Sequence, residues 1–231
     1  MMAPHEIDRA VEKLLPLAAS LFDEIGRRTT VAGGIRRAPF DSGEQIAADA
    51  VAAAARDLGL SVTSDLAGNV HMKWLATPET TELCLVGSHL DSVPRGGNFD
   101  GLAGVVAGLT AVAALRDIGL RPSREIVVLG IRGEENAWFA CQHIGSRIAL
   151  GLFDRTLLDR ARRTDTGLTL ADHIARAGID LEPIREGVRS IEPRTVRCFV
   201  EIHIEQGRML EERGLGACLR IEVSLDNKLL W

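Results

Sequence analysis

Apolar and polar positions recur along the chain with periods that are typical of alternating helices and strands. Over residues 7–26, apolar side chains return at steps of three and four residues, which is one face of an amphipathic helix. A second helix is predicted over residues 43–58, where small alanines suit close packing and Gly59 ends the helix. Strand-like segments follow at residues 60–64 and 69–74.

Short, continuously apolar runs in the middle of the chain predict strands buried on both faces. Residues 83–87 and 125–131 are two such runs, and residues 101–118 between them have a helical period. Strand, helix and strand thus follow one another as in an α/β crossover unit. Residues 154–177 are predicted to be helical and residues 196–204 to form a further strand. The expected fold class is α/β, a three-layer α/β/α arrangement around a largely parallel mixed sheet.

Composition narrows the range of functions. The 231 residues, 46% of them hydrophobic, are enough to bury one sizeable core. A net charge of −5, with arginines scattered among acids, gives no basic surface for nucleic acid. No apolar window approaches the ~18 residues of a membrane span, and charged residues in the first ten positions argue against a signal peptide. Because the four cysteines form no paired motif, a reducing, cytoplasmic setting is expected.

Side chains that bind metals follow three of the predicted strands and stand at one predicted helix start. In chain order they are His89, Asp91, Asp100, Glu134, Glu135 and His203. Ligands gather at the carboxyl ends of strands in open α/β sheets, so we expect these side chains to lie close together. A mixture of imidazole and carboxylate suits zinc, manganese or cobalt, whereas magnesium and calcium prefer oxygen alone.

The spacing within these clusters suggests a division of labour. His89 and Asp91 point the same way along an extended segment, so the carboxylate can accept the second N–H of the imidazole. Glu134 and Glu135 are adjacent and therefore point in different directions, so one can hold a metal while the other carries a proton. Each pair alone could be a solvated surface pair. Their combination at strand ends, where charge is costly to bury, favours a metal site.

Five short motifs surround these positions. They are Gly-Ser-His-Leu-Asp-Ser-Val at 87–93, Gly-Gly-Asn-Phe-Asp-Gly at 96–101, the paired glutamates with Phe139, Gly-Ser-Arg at 145–147, and His-Ile-Glu-Gln-Gly at 203–207. With these motifs, roughly residues 15–215 resemble the zinc amidohydrolases related to aminoacylase and the dimetal carboxypeptidases, in the branch of N-carbamoyl-L-amino acid hydrolase and allantoate amidohydrolase.

The resemblance implies a dimetal exopeptidase-like catalytic domain. His89 and His203 would complete one metal position, Asp100 would bridge the two metals, and Glu135 would bind the second. Two divalent ions are implied, with zinc expected first and manganese, cobalt or nickel as alternatives.

Catalytic roles are implied in the same way. Glu134 would be the general base that deprotonates the attacking water, Asp91 would orient the first histidine, and Gln206 would help to bind the substrate. The implied reaction is hydrolysis of the carbamoyl C–N bond of N-carbamoyl-L-amino acids. Allantoate or ureidoglycolate is the alternative substrate, and a fragment that binds metal without turnover is the other alternative. Because residues 136–138 depart from the Gly-Ser-Arg more common after the paired glutamates, the substrate stays open.

Complete members of the family are nearly twice as long as this chain. Their lid and dimerisation domain follows the His-Ile-Glu-Gln-Gly strand, and a later histidine completes the second metal position, so complete relatives are expected to be homodimers. We therefore expect residues 1–214 to be the amino-terminal part of the catalytic domain and residues 215–231 to be a truncated or aberrant tail. On this view the chain alone shows little turnover. The remaining histidines, His5, His71, His143 and His173, are assigned to structure.

Overall fold

A computed structural model of the chain describes residues 4–76, 81–214 and 219–225. Its helices are α1 (Pro4–Thr29), α2 (Ser42–Asp57), α3 (Leu102–Asp117), α4 (Ile144–Ala149), α5 (Leu157–Arg160), α6 (Leu170–Arg176), α7 (Glu182–Glu186) and α8 (Met209–Glu212). Its strands are β1 (Thr30–Val31), β2 (Gly34–Ile35), β3 (Ser61–Ser64), β4 (Val70–Trp74), β5 (Leu83–His89), β6 (Glu125–Ile131), β7 (Val196–Ile204) and β8 (Leu219–Leu225). Of the predicted tail, residues 215–218 and 226–231 lie outside the described residues.

Six strands form one mixed sheet in the order β3-β4-β6-β5-β7-β8, and β1 and β2 form a separate hairpin. The central strand β5 is parallel to β6 and β7, whereas β3, β4 and β8 run antiparallel to their neighbours. A parallel neighbour requires a crossover of a dozen or more residues, which α3 supplies between β5 and β6. The short link between β3 and β4 permits only an antiparallel neighbour. The expected mixed sheet is confirmed, but among the described residues its parallel part comprises three strands.

Helices α1, α2 and α3 cover one face of the sheet. α2 begins after Asp41, whose side chain accepts a hydrogen bond from the Ser42 N–H, and the chain leaves it through Gly59 at a φ of 72°. α3 is apolar on all sides because it lies between the sheet and α1, and Leu102 and Leu109 are fully buried there. Even so, none of the helices in the described part of the chain has both the length and the apolar character needed to cross a bilayer.

The other face of the sheet is covered by short helices. Alternate strand residues point to opposite sides, so Val128 contacts the core beneath α1–α3, whereas Leu129 and Phe199 join the core on the far side. The end of α4 packs on that far side through Ala149 and Leu150. Helices therefore lie on both faces, and the three-layer arrangement is confirmed.

The single helical region predicted over residues 154–177 is wrong in one respect, because it divides into α5 and α6. Thr169 caps α6, since its hydroxyl accepts from the Asp172 N–H while the Asp172 carboxylate accepts from the Thr169 N–H. The intervening loop buries Arg163, which donates to the Pro39 carbonyl and the Asp41 carboxylate. The capped start of α6 and the buried charge of Arg163 thus interrupt the single helical region that the periodicity predicts.

Candidate metal centre

His89 and His203 stand side by side because they lie on neighbouring parallel strands. The register of β5 and β7 pairs Gly87 with Glu201, so two residues further along each strand the two imidazoles meet. Their Nε2 atoms are 2.9 Å apart, and the Asp100 Oδ1 atom lies 3.9 Å from each of them. The donor atoms of His89, Asp100 and His203 all fall within 4.8 Å of one another. Two imidazole nitrogens and one carboxylate oxygen facing a common point fit a zinc-type ion.

The backbone and carboxylate of Asp91 organise this end of the sheet. His89 Nδ1 lies 2.9 Å from the Asp91 carbonyl oxygen and 3.4 Å from its Oδ1 atom. With Nδ1–H donated there, the Nε2 atom of His89 is left for a metal. The Asp91 carboxylate also accepts the backbone N–H groups of Glu134 and Glu135, each at 3.0 Å. Asp91 therefore ties the end of β5 to the paired glutamates as well as contacting the histidine.

These contacts set the charges at the centre of the site. Burial alone would lower the pKa of His89, but the carboxylates of Asp91, Asp100 and Glu135 outweigh it and raise this pKa to about 10. Burial alone would raise the pKa of Asp91, but His89 and the two backbone N–H donors hold it below its usual range. The carboxylates around His89 therefore favour positive charge at the centre of the site.

Glu135 and Gln206 lie beside this group. The Glu135 Oε1 atom is 3.9 Å from His89 Nε2. The amide of Gln206 donates to Asp100 Oδ1 at 2.8 Å and to Glu135 Oε1 at 2.6 Å. Burial, aided by Asp100 and Asp91, raises the pKa of the Glu135 carboxyl despite the opposing effect of Gln206 and His89. Five of the predicted site residues, His89, Asp100, Glu135, His203 and Gln206, are therefore brought together.

The carboxylate of Glu134 points to a different set of partners. It accepts hydrogen bonds from the Ser146 N–H at 3.1 Å and the Ser146 hydroxyl at 2.9 Å, and it lies 3.0 Å from His143 Nδ1. The hydrogen bond to Glu134 raises the pKa of His143, although partial burial opposes the shift. Sequence analysis assigned His143 to structure and did not single out Ser146. The sequence signal that could have identified them is the Gly-Ser-Arg motif, because Ser146 lies within it and His143 lies just before it.

A buried glutamate that sequence analysis missed holds the segment before the paired glutamates. Glu44 is fully buried; its Oε1 atom accepts the Gly133 N–H at 2.9 Å, and its Oε2 atom accepts Arg132 Nε at 2.7 Å and the Phe40 N–H at 2.8 Å. Burial raises the pKa of Glu44 above its ordinary value, although Arg132 opposes the shift. A glutamate in the first turn of a helix normally indicates a solvated position, so no local signal identified it.

Buried Arg37 holds the loop that carries Asp100. Its Nε donates to the Leu90 carbonyl at 2.8 Å and its Nη2 to the Asp100 carbonyl at 2.7 Å. Gly101 follows with a φ of 63°, and a Cβ atom there would overlap the His89 ring. The Arg37 hydrogen bond and the absence of a side chain at Gly101 thus allow Asp100 to lie close to His89.

The departure from the common family pattern at residues 136–138 falls partly in the core. Trp138 is buried, and its Nε1 donates to the Ser92 carbonyl at 2.7 Å. The guanidinium groups of Arg36 and Arg163 lie 5.3 and 5.8 Å from its ring centroid. Asn136, by contrast, is exposed next to Glu135. The departure therefore changes one core position and one surface position.

Two histidines outside the motifs have partners of their own. His71 Nε2 lies 3.2 Å from Asp65, and His173 Nε2 lies 2.9 Å from the Thr166 hydroxyl. Neither of these contacts involves a residue of the metal-binding group.

Comparisons with known proteins place this geometry in a family. An N-carbamoyl-L-amino acid amidohydrolase of Geobacillus stearothermophilus is 40% identical over 192 residues, which are 83% of this chain and 46% of that protein. A ureidoglycolate hydrolase of Oryza sativa subsp. japonica is 30% identical over 158 residues, 68% of this chain and 33% of that protein. The crystal structure of a hydantoinase/carbamoylase family amidase from Burkholderia ambifaria matches with a TM-score of 0.71 and 30% identity, over 88% of this chain and 48% of that one.

The matches extend over most of this chain, but the chain spans about half the length of these relatives or less. The profile of peptidase family M20/M25/M40 matches residues 85–227, a range that contains all the predicted site residues. This match covers more than half of the chain. The chain therefore belongs to peptidase family M20/M25/M40.

Proposed function

We propose that this protein contributes the metal-binding half of an amidohydrolase that cleaves the linear carbamoyl C–N bond of N-carbamoyl-L-amino acids. The observation that carries the proposal is the group of His89, Asp100 and His203, whose donor atoms lie within 4.8 Å of one another. The 40% identity to an N-carbamoyl-L-amino acid amidohydrolase supports this choice of substrate class. On this proposal, residues 1–214 are the amino-terminal part of the catalytic domain, in a cytoplasmic enzyme.

The donor set suggests which residues would hold metal. His89, His203 and Asp100 would hold one ion, preferably zinc, and Asp100 and Glu135 would contact a second. Manganese, cobalt and nickel suit the same mixture of nitrogen and oxygen. When bound, such ions would polarise the scissile carbonyl and lower the pKa of bound water toward neutrality.

Glu134 is the proposed general base. Its carboxylate is nearly buried and is held by two donors on Ser146 and by the His143 ring, so its orientation is fixed. It would take a proton from the attacking water and deliver it to the leaving amino-acid nitrogen as the C–N bond breaks. The carbamate that remains releases carbon dioxide and ammonia.

Ureidoglycolate is the second candidate substrate, because a ureidoglycolate hydrolase is 30% identical over 68% of this chain. Allantoate presents the same ureido group to the same chemistry. A fragment that binds metal without turnover is the remaining alternative. We propose the exposed Asn136, which follows Glu135 in the chain, as one described position at which these substrates are distinguished.

The test is a metal count followed by a substrate panel. The purified chain should bind zinc, and N-carbamoyl amino acids, allantoate and ureidoglycolate should then be compared by ammonia release before and after removal of metal with a chelator. Zinc binding with chelator-sensitive release of ammonia supports the amidohydrolase. Zinc binding without turnover on any substrate favours the metal-binding fragment. A chain that binds no zinc contradicts the proposal.

A further inference from the structure

Gln206 lies where two carboxylates of the metal centre converge. β7 ends at Ile204, and the exposed side chain of Gln206 reaches back over the strand end. Its Nε2 atom is 2.8 Å from Asp100 Oδ1 and 2.6 Å from Glu135 Oε1. An amide group carries two N–H hydrogens, so one is donated to each carboxylate. The opposite orientation would set the amide oxygen against two anions, so the charges decide which end of the amide faces inward.

We infer that Gln206 competes with the second metal ion for its position and must swing away before that ion binds. The inference rests on the proposed function, since it takes Asp100 and Glu135 as ligands of a second ion. The amide hydrogens contact the same two oxygens that such an ion requires. A partial positive charge between two carboxylates therefore substitutes for the charge of a cation.

The first metal position is affected much less by Gln206. Its two donors go to the carboxylates and not to the two imidazole nitrogens, which lie 2.9 Å apart. Asp100 Oδ1 has more than one lone pair and can serve the first ion while it still accepts the Gln206 hydrogen bond. Its Oδ2 atom meanwhile accepts the Val93 N–H at 3.0 Å. Loading is therefore ordered, with the histidine position filled first.

Release of Gln206 requires little rearrangement. The residue lies beyond the end of β7, and its side chain is exposed, so a change of side-chain rotamer leaves the core intact. Once displaced, the amide can donate and accept hydrogen bonds at the mouth of the site, beside Asn136 and Glu135. This links the two roles of the residue, because Gln206 becomes available to a substrate only when the second ion is in place.

The experiment is a zinc titration by calorimetry, with a metal count, on the parent chain and on Gln206→Ala, Gln206→Glu and Gln142→Ala. Gln142 is an exposed glutamine outside the site and serves as the matched control. A hydrogen bond to a charged group corresponds to roughly ten-fold in binding, so Gln206→Ala should bind the second zinc roughly ten-fold more tightly while the first is nearly unchanged. Gln206→Glu should bind the second zinc more tightly still, because a carboxylate replaces a competing donor. Gln142→Ala should match the parent.

A second measurement follows the amide itself. In ¹H–¹⁵N spectra, the side-chain signals of Gln206, identified by their loss in Gln206→Ala, should stay in place during the first equivalent of zinc and move during the second. Movement with the first equivalent would overturn the inference. So would second-site affinity in Gln206→Ala equal to or weaker than that of the parent, or one zinc per chain in both, with the first site intact. Loss of all zinc binding in every variant, parent included, would instead overturn the proposed metal centre together with the inference.

Discussion

The two proposed metal positions are built in different ways. The first has two imidazoles and one carboxylate, and its histidines come from neighbouring parallel strands whose register places them together. The second has two carboxylates bridged by an amide, and Glu135 and Gln206 lie on segments that follow β6 and β7. Strand pairing fixes the relative positions of ligands that lie on neighbouring strands. Ligands on the loops that follow the strands can move relative to each other. Within the described residues, the second position has no imidazole.

The supports differ in the same way. His89 and Asp100 are almost completely buried; the Asp91 carbonyl contacts the His89 ring, and Arg37 donates to the Asp100 carbonyl. Glu135 follows the segment at Gly133, whose N–H donates to Glu44, and Gln206 is exposed. The comparison predicts that the first position tolerates damage to the loops better than the second does.

The largest expected effect separates the paired glutamates. In any form of the protein with measurable turnover, Glu134→Gln should lower turnover about 10²–10⁴-fold and keep its metal, because it removes a base and not a ligand. Glu135→Gln should lose metal at the second position and retain the first. Turnover and metal content are measured on the same preparations. Equal loss of metal in both variants would contradict the division of roles.

Removal of Glu44 should weaken the loop side of the site and the fold together. In Glu44→Ala, the Arg132 guanidinium is left buried without its partner, and the Gly133 N–H loses its acceptor. The expected loss in the free energy of unfolding is about 3–5 kcal/mol, measured by urea denaturation. Asp49→Ala, an exposed position on the same helix, is the control and should stay within about 0.5 kcal/mol of the parent. Equal stability of the two variants would mean that the buried pair is not a support.

The strand-built position is tested by its histidines. His89→Ala and His203→Ala should each weaken the first zinc by at least about 100-fold, since each removes a direct ligand, and loss of an outer contact alone costs 10–100-fold. His71→Ala removes an imidazole that contacts Asp65 outside the group and should leave zinc affinity unchanged. Calorimetric titration measures all three. Parental affinity in His89→Ala would show that the first position is assigned to the wrong residues.

The smallest effect concerns the ion pairs behind Trp138. Burial alone would raise the pKa of Asp41, but Ser42, Arg163 and Arg36 lower it. Burial would likewise raise the pKa of Asp165, but the same two arginines lower it. A carboxyl whose pKa is lowered in the folded state stabilises the protein at pH values above its unfolded pKa, about 3.9. This contribution is lost as the pH falls through the pKa of the folded state.

Asp41→Asn combined with Asp165→Asn should therefore flatten the decline in stability from about pH 5 downward. The difference should be about 1 kcal/mol or less, because these pairs are partly exposed to solvent. Asp57→Asn, at an exposed position at the end of α2, is the control for a simple change of charge. A double variant whose acid profile matches that of the control would show that the network adds nothing to stability.

The amino-acid sequence by itself determined where α1, α2, α3 and the strands β5–β7 lie and which side chains could bind metal. Helical and strand periods are local properties, and motifs such as His-x-Asp place two side chains by backbone geometry alone. The family resemblance drawn from those motifs is confirmed by the family match.

The tertiary structure alone decided which of these groups meet. It set Gln206 between Asp100 and Glu135, turned Glu134 toward His143 and Ser146, and buried Glu44 beneath the site. It also paired β8 with β7 in a segment that the sequence had marked as an aberrant tail, and it divided the region 154–177 into two helices. These outcomes depend on contacts between residues far apart in the chain, because the partner of a side chain and its burial are set by packing and not by the local pattern.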